Sequence, residues 1–221
     1  MVRYGMVIDL NKCVRSRTCY IVCKREHKIP AHPKDKVHLY EYYRLRYLSW
    51  EWGKYPRVKR THIPIFCMHC DDPICIRFCS IDAITQREDG IIIIDKDSCT
   101  GCGVCVYVCP YGALYINADG KADGCDFCVD RVELGLPPKC VEECPARAII
   151  FGDLNDPESK ISKLISSSKA KPLIIGEATN PSIYYIPSQN ESEWKKISEN
   201  KKFQEALSKR KRDLPPLKGL I

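Results

Sequence analysis

The stretch Cys99-Thr-Gly-Cys102-Gly-Val-Cys105-Val-Tyr-Val-Cys109-Pro110 decides how the rest of the chain is read. Three cysteines spaced two residues apart line a tight loop whose backbone can wrap three corners of one centre. The fourth lies one helical turn further on, points the other way and serves a second centre. Pro110 removes a backbone donor and redirects the chain. Three other clumps echo the pattern. Upstream are Cys13, Cys19 and Cys23 with Ser16 between them, and then Cys67, Cys70, Cys75 and Cys79. Downstream are Cys125, Cys128, Cys140 and Cys144, with eleven residues separating Cys128 from Cys140.

The chain has 221 residues and fifteen cysteines. Disulfide scaffolds are short, secreted and even in cysteine count. Here the count is odd and the thiols sit in clumps, which favours metal. The Cys99–Cys109 spacing is the bacterial ferredoxin run, and soft thiolates are what iron–sulfide corners require. A single C-x2-C pair would equally suit zinc; four such motifs together do not. Each motif gives three ligands to one cluster and one to another, so motifs work in pairs and four motifs make four clusters. Strand-like pieces follow the motifs, at Ala83-Ile84, Gly90 to Asp95 and Gly112 to Asn117. The predicted fold class is α+β, with small elements built around metal more than around a hydrophobic core.

Formal net charge is +7, which at first suggests nucleic acid. A cubane held by four thiolates carries roughly −2, so four of them nearly cancel the excess; no nucleic-acid partner is expected. Met1 to Ile8 runs straight into Asp9, so no secretory h-region forms. The longest apolar runs, such as Ile91 to Ile94, are too short to span a bilayer. Scarce glutamine beside abundant Lys, Glu and Ile suggests a thermophilic source.

The sequence resembles the iron–sulfur electron-transfer subunits of the molybdopterin oxidoreductase superfamily, which serve dimethyl sulfoxide, polysulfide and thiosulfate reductases and related formate and nitrate enzymes. The likeness lies in Ile8 to Cys13, Pro64 to Pro73, Cys99 to Gly103, Cys125 to Arg131, Phe151 to Pro157 and Asn180 to Tyr185. It runs from about residue 5 to 187. It implies that the first motif pairs with the fourth and the second with the third. One cluster would then use Cys23, Cys125, Cys128 and Cys140, and another Cys67, Cys70, Cys75 and Cys109. A third would use Cys79, Cys99, Cys102 and Cys105. The last would use Cys13, Cys19 and Cys144 with position 16 as its fourth corner.

Position 16 departs from the family, which has cysteine where this chain has Ser16. The expected cofactors are three [4Fe–4S] clusters and a fourth at Cys13, Ser16, Cys19 and Cys144. A [3Fe–4S] form is expected there ahead of a serine-ligated [4Fe–4S], with an empty site least favoured. The resemblance puts this cluster towards the molybdenum subunit. Ser80-Ile81 and Ala146-Arg147 also depart from the family's residues, and are expected to alter turn geometry and leave ligation alone.

The expected organisation is two bis-cluster ferredoxin-like units with an aromatic-rich insertion and a C-terminal extension. Residues 1–59 with 121–154 form the first unit, including the insertion 31–59. Residues 60–120 form the second, and 155–221 wrap back and end in a partner-docking tail. In the insertion, Tyr40, Tyr42, Tyr43, Tyr47, Trp50, Trp52 and Tyr55 read as packing that shields clusters, ahead of an electron relay. Alternation over Val37 to Tyr42 suggests strands. His69 is expected to offer a hydrogen bond or a charge, not a metal bond. Asp156 to Ser159 reads as a helix cap, and Ser166 to Lys169 as a loop. Residues 191–212 are helix-prone, a solvated helix and a partner-docking one being weighed equally. Lys209 to Arg212 is a short basic run of little weight.

No nucleophile–base pair, paired carboxylates or phosphate loop stands out, so no residue is expected to be catalytic. The expected role is electron transfer between a molybdopterin catalytic subunit, holding molybdenum or tungsten, and an integral membrane anchor that reacts with quinone. The chain itself lacks a spanning segment. Partners would hold it at a membrane, either in the cytoplasm or exported with a signal-bearing partner. The rival role is the same task in a hydrogenase or formate dehydrogenase complex; a zinc protein is the rival from another class.

Overall fold

A computed structural model describes residues 1–30, 42–174, 178–188 and 191–207. The chain opens with strand β1 (Tyr4–Asp9), whose Met6, Val7 and Ile8 have no exposed surface. Burial on both faces fits its place inside a four-stranded sheet, flanked by the strands at Ile149–Asp153 and Ile183–Ile186. Helix α1 (Thr18–Glu26) follows, then hairpin β2 (Arg46–Trp52) and β3 (Lys59–Ile65). Short helix α2 (Ile74–Arg77) precedes hairpin β4 (Ile84–Gln86) and β5 (Ile92–Ile94). Helix α3 (Val104–Val108) precedes hairpin β6 (Tyr115–Ile116) and β7 (Ala122–Asp123). Helices α4 (Val129–Glu133) and α5 (Lys139–Glu142) lead into β8 (Ile149–Asp153), antiparallel to β1 with Met6 opposite Phe151.

Helix α6 (Lys160–Ser166) starts where the cap signal puts it, with the Ser159 side chain accepting from Ser162 N–H. It packs on β8 and β1, burying Ile161 against Val7. Then come β9 (Lys171–Pro172) and β10 (Ile183–Ile186), the latter parallel to β1 with Met6 opposite Ile183. Gly5 is required at this junction, because a Cβ there would lie 2.6 Å from the Ser182 carbonyl oxygen. The fold is therefore mixed α and β, with small sheets, as the sequence suggests.

The tail covers part of the chain's own core. Helices α7 (Glu191–Ser198) and α8 (Lys201–Leu207) turn their apolar side chains onto the chain's own core. Trp194 is buried near Tyr185, and Phe203 meets the Trp50 ring edge-on. Arg46 donates to the Leu207 carbonyl, which holds the end of α8 against β2. The physical reason is that Trp50 and Tyr185 leave an apolar surface that the side chains of α7 and α8 cover. Lys209 to Arg212 and Val37 to Glu41 lie outside the described residues, as does Tyr40.

Tyr47, Trp50 and Trp52 pack against the main core, which suits the shielding role, whereas Tyr55 is 92% exposed. After the second and fourth motifs the chain makes the same turn, despite the departures in sequence. Asp82 and Arg147 both have φ near +50°, and their N–H groups donate to the Cys79 and Cys144 carbonyls.

Candidate metal centres

Each cysteine loop enters the left-handed backbone region. Arg15 and Arg17, His69, Gly101 and Gly103, and Phe127 and Cys128 all have positive φ. Such loops turn successive N–H groups inward and form nests that favour anions. Backbone also reaches sulfur directly: Ala122 N–H donates to Cys99 Sγ at 3.4 Å. All fifteen thiols are free, and most are buried.

Helix packing brings distant motifs together. Helix α1, carrying Cys19 and Cys23, lies against α5, which carries Cys140. Helix α2, with Cys75, lies against α3, with Cys105. Sulfurs from separate motifs come near enough to raise one another's pKa. Burial, then Cys128, pushes Cys23 up to about 12. Burial holds Cys125 and Cys140 well above the ordinary thiol value, with Cys23 and Cys128 adding to it. Burial likewise lifts Cys67, reinforced by Cys75, Cys70 and Cys109. Burial takes Cys105 to about 12, with Cys102, Cys99 and Cys79 adding charge. Cys79, Cys99, Cys102 and Cys105 together line one small pocket.

Cys13, Ser16, Cys19 and Cys144 line one small pocket with Tyr47 and Pro64. Tyr47 Oη lies 2.6 Å from Cys19 Sγ, and Ala148 N–H donates to Cys144 Sγ at 3.3 Å. Ser16 Oγ accepts from Thr18 N–H at 3.3 Å and from the Thr18 hydroxyl at 3.1 Å.

These residues fit iron–sulfur clusters. Buried thiols that resist ionisation alone are poor nucleophiles, yet a cationic iron core reverses that preference and draws off their protons. A family model described as a 4Fe-4S dicluster domain matches residues 58–154. The B subunit of tetrathionate reductase from Salmonella typhimurium is 38% identical over 188 residues, spanning 83% of this chain and 72% of that protein. The chain belongs to the iron–sulfur electron-transfer subunits of the molybdopterin oxidoreductases. The B component of polysulfide reductase from Wolinella succinogenes is 35% identical over 195 residues, spanning 85% of this chain and 95% of that one. A putative iron-sulfur B component of dimethyl sulfoxide reductase from Halobacterium salinarum is 35% identical over 210 residues, spanning 84% and 79%. Among the described residues of this electron-transfer protein, no helix is long and apolar enough to cross a membrane.

His69 lies fully buried against Phe127, ring centroids 3.7 Å apart, and its Nδ1 accepts from Ile92 N–H. Burial holds its pKa down to about 3, so it contributes a hydrogen bond and no charge. Sequence reasoning passed over a second polar cluster. Arg44 reaches Asp126 Oδ2 at 2.5 Å and Asp123 Oδ1 at 3.1 Å, and Lys96 and Tyr115 also hold Asp123. Although burial opposes its charge, Asp126 and Asp123 hold the Arg44 pKa above its ordinary value. The readable signal was His27, four residues after Cys23 and so one turn along the same helix face.

Proposed function

We propose that this subunit conducts electrons through four iron–sulfur clusters, linking a molybdopterin catalytic subunit to a membrane anchor that reacts with quinone or quinol. The approach of thiols from separate motifs to one another carries the reading, and we assign them to four groups. Three groups hold four cysteines each: Cys23, Cys125, Cys128 and Cys140; Cys67, Cys70, Cys75 and Cys109; Cys79, Cys99, Cys102 and Cys105. Each would hold a [4Fe–4S] cluster. Cys13, Cys19 and Cys144 would hold a [3Fe–4S] cluster, a form favoured because Ser16 offers a harder oxygen where a fourth thiolate would stand. The first and fourth motifs would build one bis-cluster unit and the second and third the other, in line with the packing of α1 on α5 and α2 on α3.

Bound clusters supply one-electron carriers; the chain's own residues fix their order, exclude water and set the local charge. The names of the relatives favour tetrathionate, polysulfide or dimethyl sulfoxide as the class of terminal substrate. A catalytic partner would select it, and partner subunits would hold the chain at the membrane. The test is anaerobic purification with metal and sulfide analysis. About fifteen irons per chain with matching sulfide is the expected result; zinc without sulfide overturns it. Co-purification of a molybdenum or tungsten pterin protein identifies the complex.

A further inference from the structure

We infer that His27 is a positioning residue that raises the reduction potential of the centre built on Cys23, Cys125, Cys128 and Cys140, by donating its Nε2 proton to the Cys128 sulfur. The inference rests on the reading of Cys128 as a cluster ligand.

The proton can be placed from geometry alone. Arg44 Nη1 lies 3.0 Å from His27 Nδ1. A guanidinium has donors and no acceptor, so Nδ1 must accept. The ring proton is therefore on Nε2, which lies 3.2 Å from Cys128 Sγ. The nearest competing acceptor on Asp126 is further off, at 3.9 Å. Arg44 cannot swing away easily, since Asp126 and Asp123 both grip it, and Tyr115 and Lys96 brace Asp123 in turn. At the other end, the His27 N–H bonds the Cys23 carbonyl, tying the ring's backbone to a second ligand of the same group.

His27, Asp126 and Cys128 place three potential metal-binding atoms within 4.8 Å of one another. A metal bound there would need the Nε2 lone pair, which forces the ring proton onto Nδ1, against Arg44. The arrangement suits a donor to sulfur and opposes a ligand to metal. Adding an electron to a cluster increases negative charge on its thiolate sulfurs, so an N–H···S bond is stronger in the reduced state. The reduced form gains, and the potential rises.

The test is a potentiometric titration of the anaerobically loaded full chain, followed by electron paramagnetic resonance. It compares the parent with His27→Leu and His27→Gln. Gln keeps one acceptor and one donor, whereas Leu keeps neither. In His27→Leu, one cluster should become harder to reduce. Its reduced-to-oxidised ratio at fixed potential should fall by up to about tenfold, or about 59 mV for a one-electron couple. His27→Gln should recover most of that shift. An unshifted titration in His27→Leu, or an equal shift in both variants, overturns the inference. If His27→Leu fails to load, the parent protein decides. Pulsed resonance on protein labelled with ¹⁵N-histidine should show a weak nitrogen coupling that is lost in His27→Gln; no coupling, or one of ligand strength, overturns the inference. The underlying reading fails separately, if Cys128→Ala keeps its full iron content.

Discussion

Replacing Phe203 by alanine tests whether the C-terminal helices are part of this fold or a surface awaiting a partner. Phe203 has no exposed surface, and its ring stands at 84° to Trp50 with centroids 5.3 Å apart. Deleting a buried aromatic side chain costs about 3–5 kcal/mol. Helix α8 spans seven residues, and isolated helices shorter than about 12 residues are marginal in water. The loss therefore falls on docking of α8, which should open before the cluster-bearing core does. At tenfold per 1.4 kcal/mol, amide exchange in 201–207 should quicken by about two to three and a half orders of magnitude. Hydrogen exchange read by mass spectrometry, on the loaded chain without partner subunits, measures this directly. A solvated helix would respond like a surface site, within about 0.5 kcal/mol or roughly twofold. A change below threefold in that segment would refute the docking of α8 on β2.

Ser16→Cys should raise iron by about one atom per chain and abolish the three-iron resonance of the oxidised protein; unchanged iron sinks the three-iron assignment. Arg44→Met strips the guanidinium from two carboxylates, Asp123 being almost fully buried. Breaking such a network costs about 3–5 kcal/mol, so anaerobic denaturant unfolding should lose at least 3 of these, and a loss under 1 kcal/mol contradicts the ion pairs. Metal-free thiols at Cys23 and Cys105 sit near 12 and Cys128 near 11, each raised chiefly by burial. They are protonated at neutral pH, so cluster loading must expel protons and strengthen from pH 6 to 8. A pH-stat reconstitution that releases no acid refutes this. A metal-free fold has the opposite trend at higher pH. Above about 9 the unfolded chain ionises thiols that the fold keeps neutral, so its stability falls until the folded values are passed.

What could be read in the sequence was local. C-x2-C loops fix their own geometry within a few residues, so the tight cysteine loops and the short strands at Ile84, Ile92 to Ile94 and Tyr115 were legible. Ser159 was legible for the same reason, since a cap acts over one turn. Pairings across the chain were not. Nothing near Met6 announces a parallel partner at Ile183, and Trp194, Ile197, Phe203 and Leu207 show that a face needs cover without showing what covers it. Arg44 carries no periodic cue, because its partners Asp123 and Asp126 come from the far side of the second and third motifs.

That arginine also changes what the basic composition means. A +7 chain would ordinarily present its charge to solvent. Here Arg44 and Arg46 are largely withdrawn from solvent, and Lys96 is only partly exposed, directed at Asp123. Of these, Arg44 acts on thiols, easing the ionisation of Cys23 and Cys128 against the larger effect of burial. It would thereby favour the loaded fold, and the reduced state over the oxidised one. Removing it should move stability and potential together, whereas a cation serving only solubility would move neither.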